Sequence, residues 1–161
     1  MAVDVYITYV GSAEMKAKKV AGIVSRAFER VILWWHKTVL AGHFKVGAAQ
    51  KYGYKKRTEK WKARKLREKH IRRPLVYTGA MEAQAKRQIV LKTLKTRAEA
   101  SGGLRGPRYM YMTETDIGFQ HNYGRELTAT TEQEREIMAK RVDVLATRDL
   151  NSMTDRRTVR T

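Results

Sequence analysis

A long amphipathic stretch between Ser12 and Gly42 is the feature that most limits how this chain can fold. Its apolar side chains recur at spacings of three and four, which is the period of an α-helix with one buried face. Ser12 is a suitable N-cap, and lysines and arginines occupy the opposite face. The spacing predicts one long helix that lies against an apolar surface on one side, and we expect a sheet to provide that surface. The positions that define the helix are Val20, Ile23, Val24, Ala27, Phe28, Val31, Trp34, Trp35, Thr38 and Val39.

Strand patterns occur on both sides of this helix. Residues 3–10 alternate with the two-residue period of a strand that has one buried face. Residues 89–100 and 108–119 indicate two further strands, and the glycine-rich stretch 101–107 between them is typical of a hairpin turn. The chain therefore predicts a small antiparallel sheet.

Shorter helices are predicted elsewhere. Thr58 is a good N-cap for a helix that reaches Lys69, and residues 80–88 favour another short helix. A last helix is expected to start after Thr130 or Thr131, because three glutamates follow there and suit the positive end of a helix dipole.

These elements together predict an α+β fold: a small antiparallel sheet packed against a long N-terminal helix and a C-terminal helix, with an extended basic arm. A chain of 161 residues is long enough for one domain with a real core and too short for two ordinary ones. We expect a single domain over residues 1–150, with the basic arm 43–73 inserted into it, and a polar C-terminal tail over residues 151–161.

The charge of the chain is strongly unbalanced. The formal net charge is +18 at pH 7, with 34 Lys and Arg against 16 Asp and Glu. Such an excess fits nucleic acid, an anionic membrane surface or acidic protein neighbours, and charge does not choose among them. There is no cysteine, which fits a reducing compartment. No apolar run approaches the roughly 20 residues that a membrane span needs, so we expect a soluble chain with no membrane partner.

Catalytic and metal-binding patterns are weak throughout. His36, His43, His70 and His121 do not stand at paired ligand spacings with other ligands. The serines lack the context of a nucleophile, and no carboxylate cluster suits the divalent ion that a nuclease would use. We therefore expect a protein that is not an enzyme and that carries no metal and no cofactor.

The basic arm is the most informative segment for function. Between Lys45 and Arg73 there are thirteen Lys or Arg against two acids, Glu59 and Glu68, with three aromatic residues interleaved. Cations for phosphates and aromatics for stacking are what a nucleic-acid binder uses. A solvated helix face whose lysine stems shield apolar surface is the other interpretation. The candidate interface residues are Lys51, Tyr52, Tyr54, Lys55, Lys56, Arg57, Lys60, Trp61, Arg64, Lys65, Arg67, Arg72 and Arg73.

The arm is followed by a turn. Pro74 ends any preceding helix, and Thr78-Gly79 is turn chemistry. Between them we expect a short extended piece with Leu75 and Tyr77 on one face and Val76 on the other, which returns the chain to its own sheet.

Four segments resemble one known family. HF at 43–44, YGYKKRTEKWKARK at 52–65, RPLVYTGAM at 73–81 and HNYGRELTATTEQE at 121–134 follow one another in the order and spacing of the virion-morphogenesis proteins of tailed bacteriophages. This is the neck and tail-completion group found in Mu-like phages. The resemblance covers roughly residues 30–148, and the family has no catalytic residues to transfer.

The resemblance implies a structural virion protein of the head-tail connector. Such a protein is made in the host cytoplasm and assembles as a homo-oligomeric ring between the portal or adaptor and the tail proteins, and DNA passes through the ring with possible non-specific contact in the channel. The basic arm is then an interface element, and the acidic helix start at Glu132, Glu134 and Glu136 on a neighbouring subunit is one candidate counterpart. A basic nucleic-acid-binding protein that uses residues 45–73 is the alternative.

Overall fold

The computed structural model contains the predicted fold class. It describes residues 17–87, 89–94, 98–107, 110 and 123–158. The helices and strands follow in the order α1 (Ala17–Thr38), a 3-10 helix (Leu40–Phe44), α2 (Ala48–Lys51), α3 (Glu59–Lys69), α4 (Ala80–Arg87), β1 (Ile89–Leu94), β2 (Glu99–Leu104), α5 (Tyr123–Leu127) and α6 (Glu132–Thr158). Helices predominate and β1 pairs with β2, so the α+β prediction is confirmed. The predicted strand 3–10 lies outside the described residues, and so does the predicted strand 108–119 apart from Met110.

Residues 17–38 of the amphipathic stretch form helix α1, as the spacing predicts. The predicted N-cap Ser12 lies outside the described residues. Ile23, Ala27, Val31 and Trp35 lie four residues apart and are all buried. A four-residue step places side chains one above the other on a helix, so these residues make a continuous apolar stripe. The charged residues between them point outwards, with Arg26 exposed.

The described residues divide into two compact units. We call them the basic unit and the hairpin unit. The basic unit comprises residues 35–90 and 103–131, and the hairpin unit comprises residues 17–34, 91–102 and 132–158. Each has its own buried side chains, among them Leu40 and Phe44 in the first and Ile23 and Val142 in the second.

In the hairpin unit, α1 lies against the strands. The Ser25 hydroxyl is fully buried and donates to the Glu99 carbonyl oxygen at 2.7 Å, with the Leu94 carbonyl oxygen at 3.2 Å. Arg30 pairs with Asp149 of α6 at 3.1 Å. The sheet that we expected to cover α1 is therefore present as this hairpin.

The position of the hairpin differs from the prediction. The sequence suggested one strand over 89–100 and a glycine-rich tip over 101–107. In the structure the chain reverses between Leu94 and Glu99, and Gly102 and Gly103 belong to strand β2. The two strands pair within the predicted first strand and turn, and Ala98 takes a left-handed backbone with φ 54° at the reversal. The glycines are tolerated there because strand geometry does not exclude glycine, although it favours other residues.

The last helix is longer than predicted. It begins at Glu132, directly after the predicted cap, and continues to Thr158. Met138, Val142, Ala146 and Leu150 form its buried stripe. The expected polar tail from residue 151 is helical as far as 158, because residues 151–158 contain neither proline nor glycine to stop the helix.

The predicted basic arm, residues 43–73, is folded and not extended, and we call it the basic segment from here on. It contains the end of the 3-10 helix, then α2, then α3. The predicted cap of α3 is confirmed, since the Thr58 hydroxyl accepts the Trp61 N–H at 3.3 Å. The helix also ends at the predicted residue. It ends at Lys69, where His70 takes a left-handed conformation (φ 52°) and its N–H donates to the Leu66 carbonyl at 2.9 Å.

The piece after Pro74 is a turn and not a strand. Leu75 has a left-handed backbone (φ 57°), and Leu75 and Val76 are both buried instead of lying on opposite faces. Gly79 closes the turn with φ 85°, a conformation that glycine adopts without strain, and α4 begins at the next residue. The predicted turn residues are right, and the predicted extended face between them is wrong, because both ends of this short piece bend.

Candidate functional site: the basic helix and its buried base

Three ring side chains, which we call the aromatic anchor, hold the start of the basic segment. His43 is fully buried and stacks on Tyr52, with ring centroids 3.7 Å apart and an interplanar angle of 12°. Its Nδ1 and the Tyr54 hydroxyl oxygen lie 2.6 Å apart in a hydrogen bond. Gly42 permits this packing, because a Cβ there would stand only 3.1 Å from the Tyr52 hydroxyl. Tyr52 and Tyr54 are therefore core residues and are not available to stack on a partner.

A second contact, the clasp, fixes the loop in front of α3. Arg57 donates to both carboxylate oxygens of Glu126, at 2.9 Å and 2.6 Å, and its guanidinium lies 5.4 Å from the centroid of the Tyr123 ring. The Lys55 backbone N–H also donates to Glu126 at 3.2 Å. The two charged side chains are only 14% and 11% exposed. A two-pronged Arg–carboxylate pair with so little solvent around it fixes geometry as well as charge.

Lys65 holds the middle of α3 against the chain that follows the helix. Its side chain is buried, its ammonium donates to the Arg73 carbonyl, and it lies 5.0 Å from the centroid of the Trp61 ring. Burial, together with the nearby cations of Arg57 and Arg73, lowers the pKa of Lys65 to about 8. Lys65 therefore joins α3 to the chain that follows the helix, and it does not belong to the outer surface.

The outer face of α3 carries local ion pairs. Lys62 pairs with Glu59 at 2.6 Å, and Arg64 pairs with Glu68 at 2.8 Å. The Tyr77 hydroxyl donates to Glu68 at 2.5 Å. This hydrogen bond and the Arg64 contact lower the pKa of Glu68, and the same hydrogen bond raises the pKa of Tyr77. Both acids of the segment are thus engaged by its own cations.

Several cations remain without a counter-charge. Lys56, Lys60 and Arg72 are exposed, and in the part of the chain that the structure describes they make no hydrogen bond or ion pair. Arg67 is exposed and stands next to the engaged Glu68 in the sequence of α3. At the end of the segment, Arg73 pairs with Glu82 at 3.3 Å. The outward face of the basic segment is therefore strongly positive.

The structure separates the predicted interface residues into two groups. The inward group is buried or half-buried and consists of Tyr52, Tyr54, Arg57, Trp61 and Lys65. The outward group is exposed and consists of Lys51, Lys55, Lys56, Lys60, Arg64, Arg67, Arg72 and Arg73. Of the predicted turn residues, Thr78 is exposed, whereas Pro74 and Gly79 are half-buried.

Three of the residues that hold the basic segment on its buried side were not predicted from the sequence. From residue patterns alone, His43 is considered only as a metal ligand, and Glu126 and Tyr123 have no assigned role. All three residues lie in segments quoted for the family resemblance, His43 in 43–44 and both Tyr123 and Glu126 in 121–134.

The acidic helix start is a poorer counterpart than expected. Glu134 is buried with 7% exposure, and Glu132 already pairs with Arg135 of the same helix. Glu136 alone of the three is exposed with no partner in the described chain. A single free carboxylate is a weak match for the outward cations of α3.

Two further features bear on the site. Among the described residues, no three His, Asp or Glu side chains come together in a group that could hold a metal ion. In the same part of the chain, no helix is both long enough and apolar enough to cross a membrane.

Comparison with known proteins adds no relative to these observations. No family model, no curated protein and no solved structure matches this chain. The resemblance to phage neck proteins therefore rests on the four quoted segments. Each of these segments contributes described residues to the basic unit, including the aromatic anchor, α3, the turn before α4, and α5.

Proposed function

We propose that this chain is a structural subunit of the head-tail connector of a tailed bacteriophage, a neck or tail-completion protein without enzymatic activity. It assembles as a homo-oligomeric ring between the portal or adaptor and the tail, and DNA passes through the ring. The four segments that resemble the family support this proposal, because each contributes residues to the basic unit, whose anchor and clasp hold the basic helix in place. The protein is then made in the host cytoplasm and resides in the virion.

One observation carries the proposal: exposed cations without counter-charges in the described chain, on the firmly held helix α3 and on the chain that flanks it. These cations are Lys60 on α3, Lys56 before it and Arg72 after it. Such a concentration of charge opposes the compact state of an isolated subunit, and acidic groups on a neighbouring polypeptide relieve it. A closed ring supplies such a neighbour at every interface, since each subunit presents one patch to a different patch of the next.

Charge reversal of these three residues tests the proposal. The variant Lys56→Glu/Lys60→Glu/Arg72→Glu is compared with Lys18→Glu/Lys19→Glu/Arg26→Glu, which changes the net charge equally at exposed positions of α1. Full-length proteins are examined by native mass spectrometry and negative-stain electron microscopy. We expect annular particles for wild type and the control, and folded monomers for the first variant. Rings from the first variant, or a wild type that stays monomeric at every concentration and is missing from virions, would contradict the proposal.

Reversing the charges of Arg64, Lys65 and Arg67 would not be a clean test. Lys65 is buried and bonded to the Arg73 carbonyl, so a glutamate there is expected to unfold α3 rather than to weaken a contact. The three exposed residues above avoid this difficulty.

Nucleic-acid binding through the same outward cations is the second candidate function. The unpaired charge favours it as well, because phosphates are counter-charges too. Titration of duplex DNA binding against salt separates the two. A dedicated binder loses affinity linearly in the logarithm of salt, with a slope of about −0.9 for each phosphate contacted. A connector subunit gives weak, sequence-independent binding at physiological salt.

A further inference from the structure

A small cavity lies beside the basic helix. Its volume is about 160 Å³, and residues of α3, of the turn before α4 and of α5 line it. Three of its lining side chains, Leu75, Val76 and Met81, are buried and apolar. The rings of Trp61 and Tyr77 line it as well. The cavity is therefore mainly hydrocarbon and aromatic in character.

The polar side chains at the cavity are already engaged. Arg57 is bound by Glu126 through both carboxylate oxygens. The Tyr77 hydroxyl donates to Glu68, and the Thr78 hydroxyl oxygen accepts the N–H of the first residue of α4 at 3.4 Å. A polar ligand group that entered would compete with these bonds, and a buried group left without a partner is unfavourable. An apolar group meets no such penalty.

The size of the cavity matches one large side chain. A cavity of about 150 Å³ with apolar walls accommodates benzene. The volume here is about 160 Å³, so one phenyl or branched aliphatic group fits. A nucleobase presents several hydrogen-bonding groups along its edge, and the engaged side chains cannot satisfy them. The lining therefore favours a protein side chain over a base.

Exposed cations near the cavity favour particular residues on either side of the apolar residue in a bound peptide. Lys56 and Lys60 are exposed, are not paired within the described chain, and adjoin the lining residues Arg57 and Trp61 in sequence. A peptide that places an apolar side chain in the cavity brings its adjacent residues close to these cations. Acidic neighbours gain from this arrangement, and basic neighbours are repelled.

We infer that this cavity is a docking site for one large apolar side chain carried on an acidic segment of another protein. The inference deepens the proposed function and rests on it for the statement that the partner is a neighbouring virion protein. The cavity supplies apolar burial for one anchor, and the exposed cations next in sequence to its lining residues supply orientation and partner choice.

Labelled peptides and fluorescence anisotropy test this site in the full-length protein. The main probe is an acetylated peptide with one phenylalanine between two triplets of glutamate. The comparison peptides replace phenylalanine by alanine, or the glutamates by lysines. We expect the main peptide to bind at least about tenfold more tightly than the alanine peptide, and the lysine peptide not to bind. Equal binding of the phenylalanine and alanine peptides would overturn the inference, because it would reduce the contact to charge alone.

A filling variant locates the contact. Thr78 is exposed and lines the cavity, so Thr78→Trp fills it without disturbing a buried residue. Thr78→Ala is the matched control, because it loses the same hydroxyl and leaves the cavity open. We expect Thr78→Trp to lose the tenfold preference for phenylalanine and Thr78→Ala to keep it, while both retain the circular dichroism spectrum of wild type. An unchanged preference in Thr78→Trp would contradict the cavity as the site.

A decathymidine probe tests the competing ligand class, which is single-stranded nucleic acid. If wild type binds this oligonucleotide and Thr78→Trp does not, the cavity binds a nucleobase and not a protein side chain, and the inference is overturned. The inference and the proposed function fail separately. If peptide binding depends on the cavity but the protein forms no ring, only the connector proposal is refuted. If the protein forms rings but binds the phenylalanine and alanine peptides equally, only the docking site is refuted.

Discussion

Two arginine–glutamate pairs in the basic unit have the same chemistry and different roles. Arg57 and Glu126 are 2.6 Å apart, with side chains only 14% and 11% exposed. Arg64 and Glu68 are 2.8 Å apart, with side chains 65% and 34% exposed. The first pair joins residues far apart in sequence, and the second lies within one helix. Burial, rather than residue type or distance, therefore decides which of the two pairs holds the fold.

The largest effect is expected from breaking the buried pair. Arg57→Ala leaves Glu126 buried without its counter-charge, and such a loss lowers the free energy of unfolding by about 3 kcal/mol. Arg64→Ala removes an exposed pair within α3 and is expected to lower it by less than about 0.5 kcal/mol. Urea denaturation of the two variants measures both changes. Equal losses would show that burial does not separate the two pairs.

The next effect concerns Lys65 and pH. The pKa of Lys65 is about 8 in the folded chain, compared with the ordinary value of 10.5 for a lysine. Between pH 8 and pH 10.5, Lys65 is therefore more often protonated in the unfolded chain than in the folded chain. Stability therefore rises as the pH increases from about 8 to about 10.5, by on the order of 2 kcal/mol. Below pH 8 this contribution is absent, because Lys65 is then protonated in both states.

The variant Lys65→Met isolates this contribution. It keeps the length of the stem and removes the titrating group, so the difference in unfolding free energy between wild type and variant is expected to change across that pH window. Other groups that titrate at alkaline pH affect both proteins and cancel in the difference. A difference that stays constant from pH 7 to pH 11 would mean that the Lys65 ammonium is not held in the buried position described here.

A smaller effect is expected at the aromatic anchor. Tyr54→Phe removes the hydroxyl that bonds to His43 and leaves the ring stack in place. The loss of one buried hydrogen bond lowers the free energy of unfolding by about 1 kcal/mol. Tyr77→Phe removes an outer hydroxyl that bonds to the exposed Glu68 and is expected to lower it by a few tenths of a kcal/mol. Thermal denaturation of both variants ranks them, and the reverse order would argue against Tyr54 as part of the core.

Local patterns made several elements predictable from sequence. The three-and-four spacing predicts α1, the Thr58 hydroxyl predicts the start of α3, and Thr131 marks the residue before α6. Each of these signals is contained within a few residues, and each reflects a helix property that does not depend on the rest of the fold.

Features that depend on distant contacts were not predictable. Two tyrosines between lysines suggest a stacking surface, and only the position of His43 shows that they are buried. The role of Glu126 depends on Arg57, sixty-nine residues earlier in the chain. The position of the hairpin turn was not predictable either. Glycines in the sequence favour a turn at 101–107, whereas no glycine lies between Leu94 and Glu99, the residues that flank the actual turn.

The central claim is that one basic segment has an inward half that sets stability and an outward half that sets assembly. The most direct test measures both the unfolding free energy and the native mass for Arg57→Ala and for Lys60→Glu/Arg67→Glu. We predict that Arg57→Ala is destabilised, and that Lys60→Glu/Arg67→Glu keeps the stability of wild type within about 0.5 kcal/mol and no longer forms rings. Rings from the outward variant, or a loss of stability as large as that of Arg57→Ala, would contradict the claim.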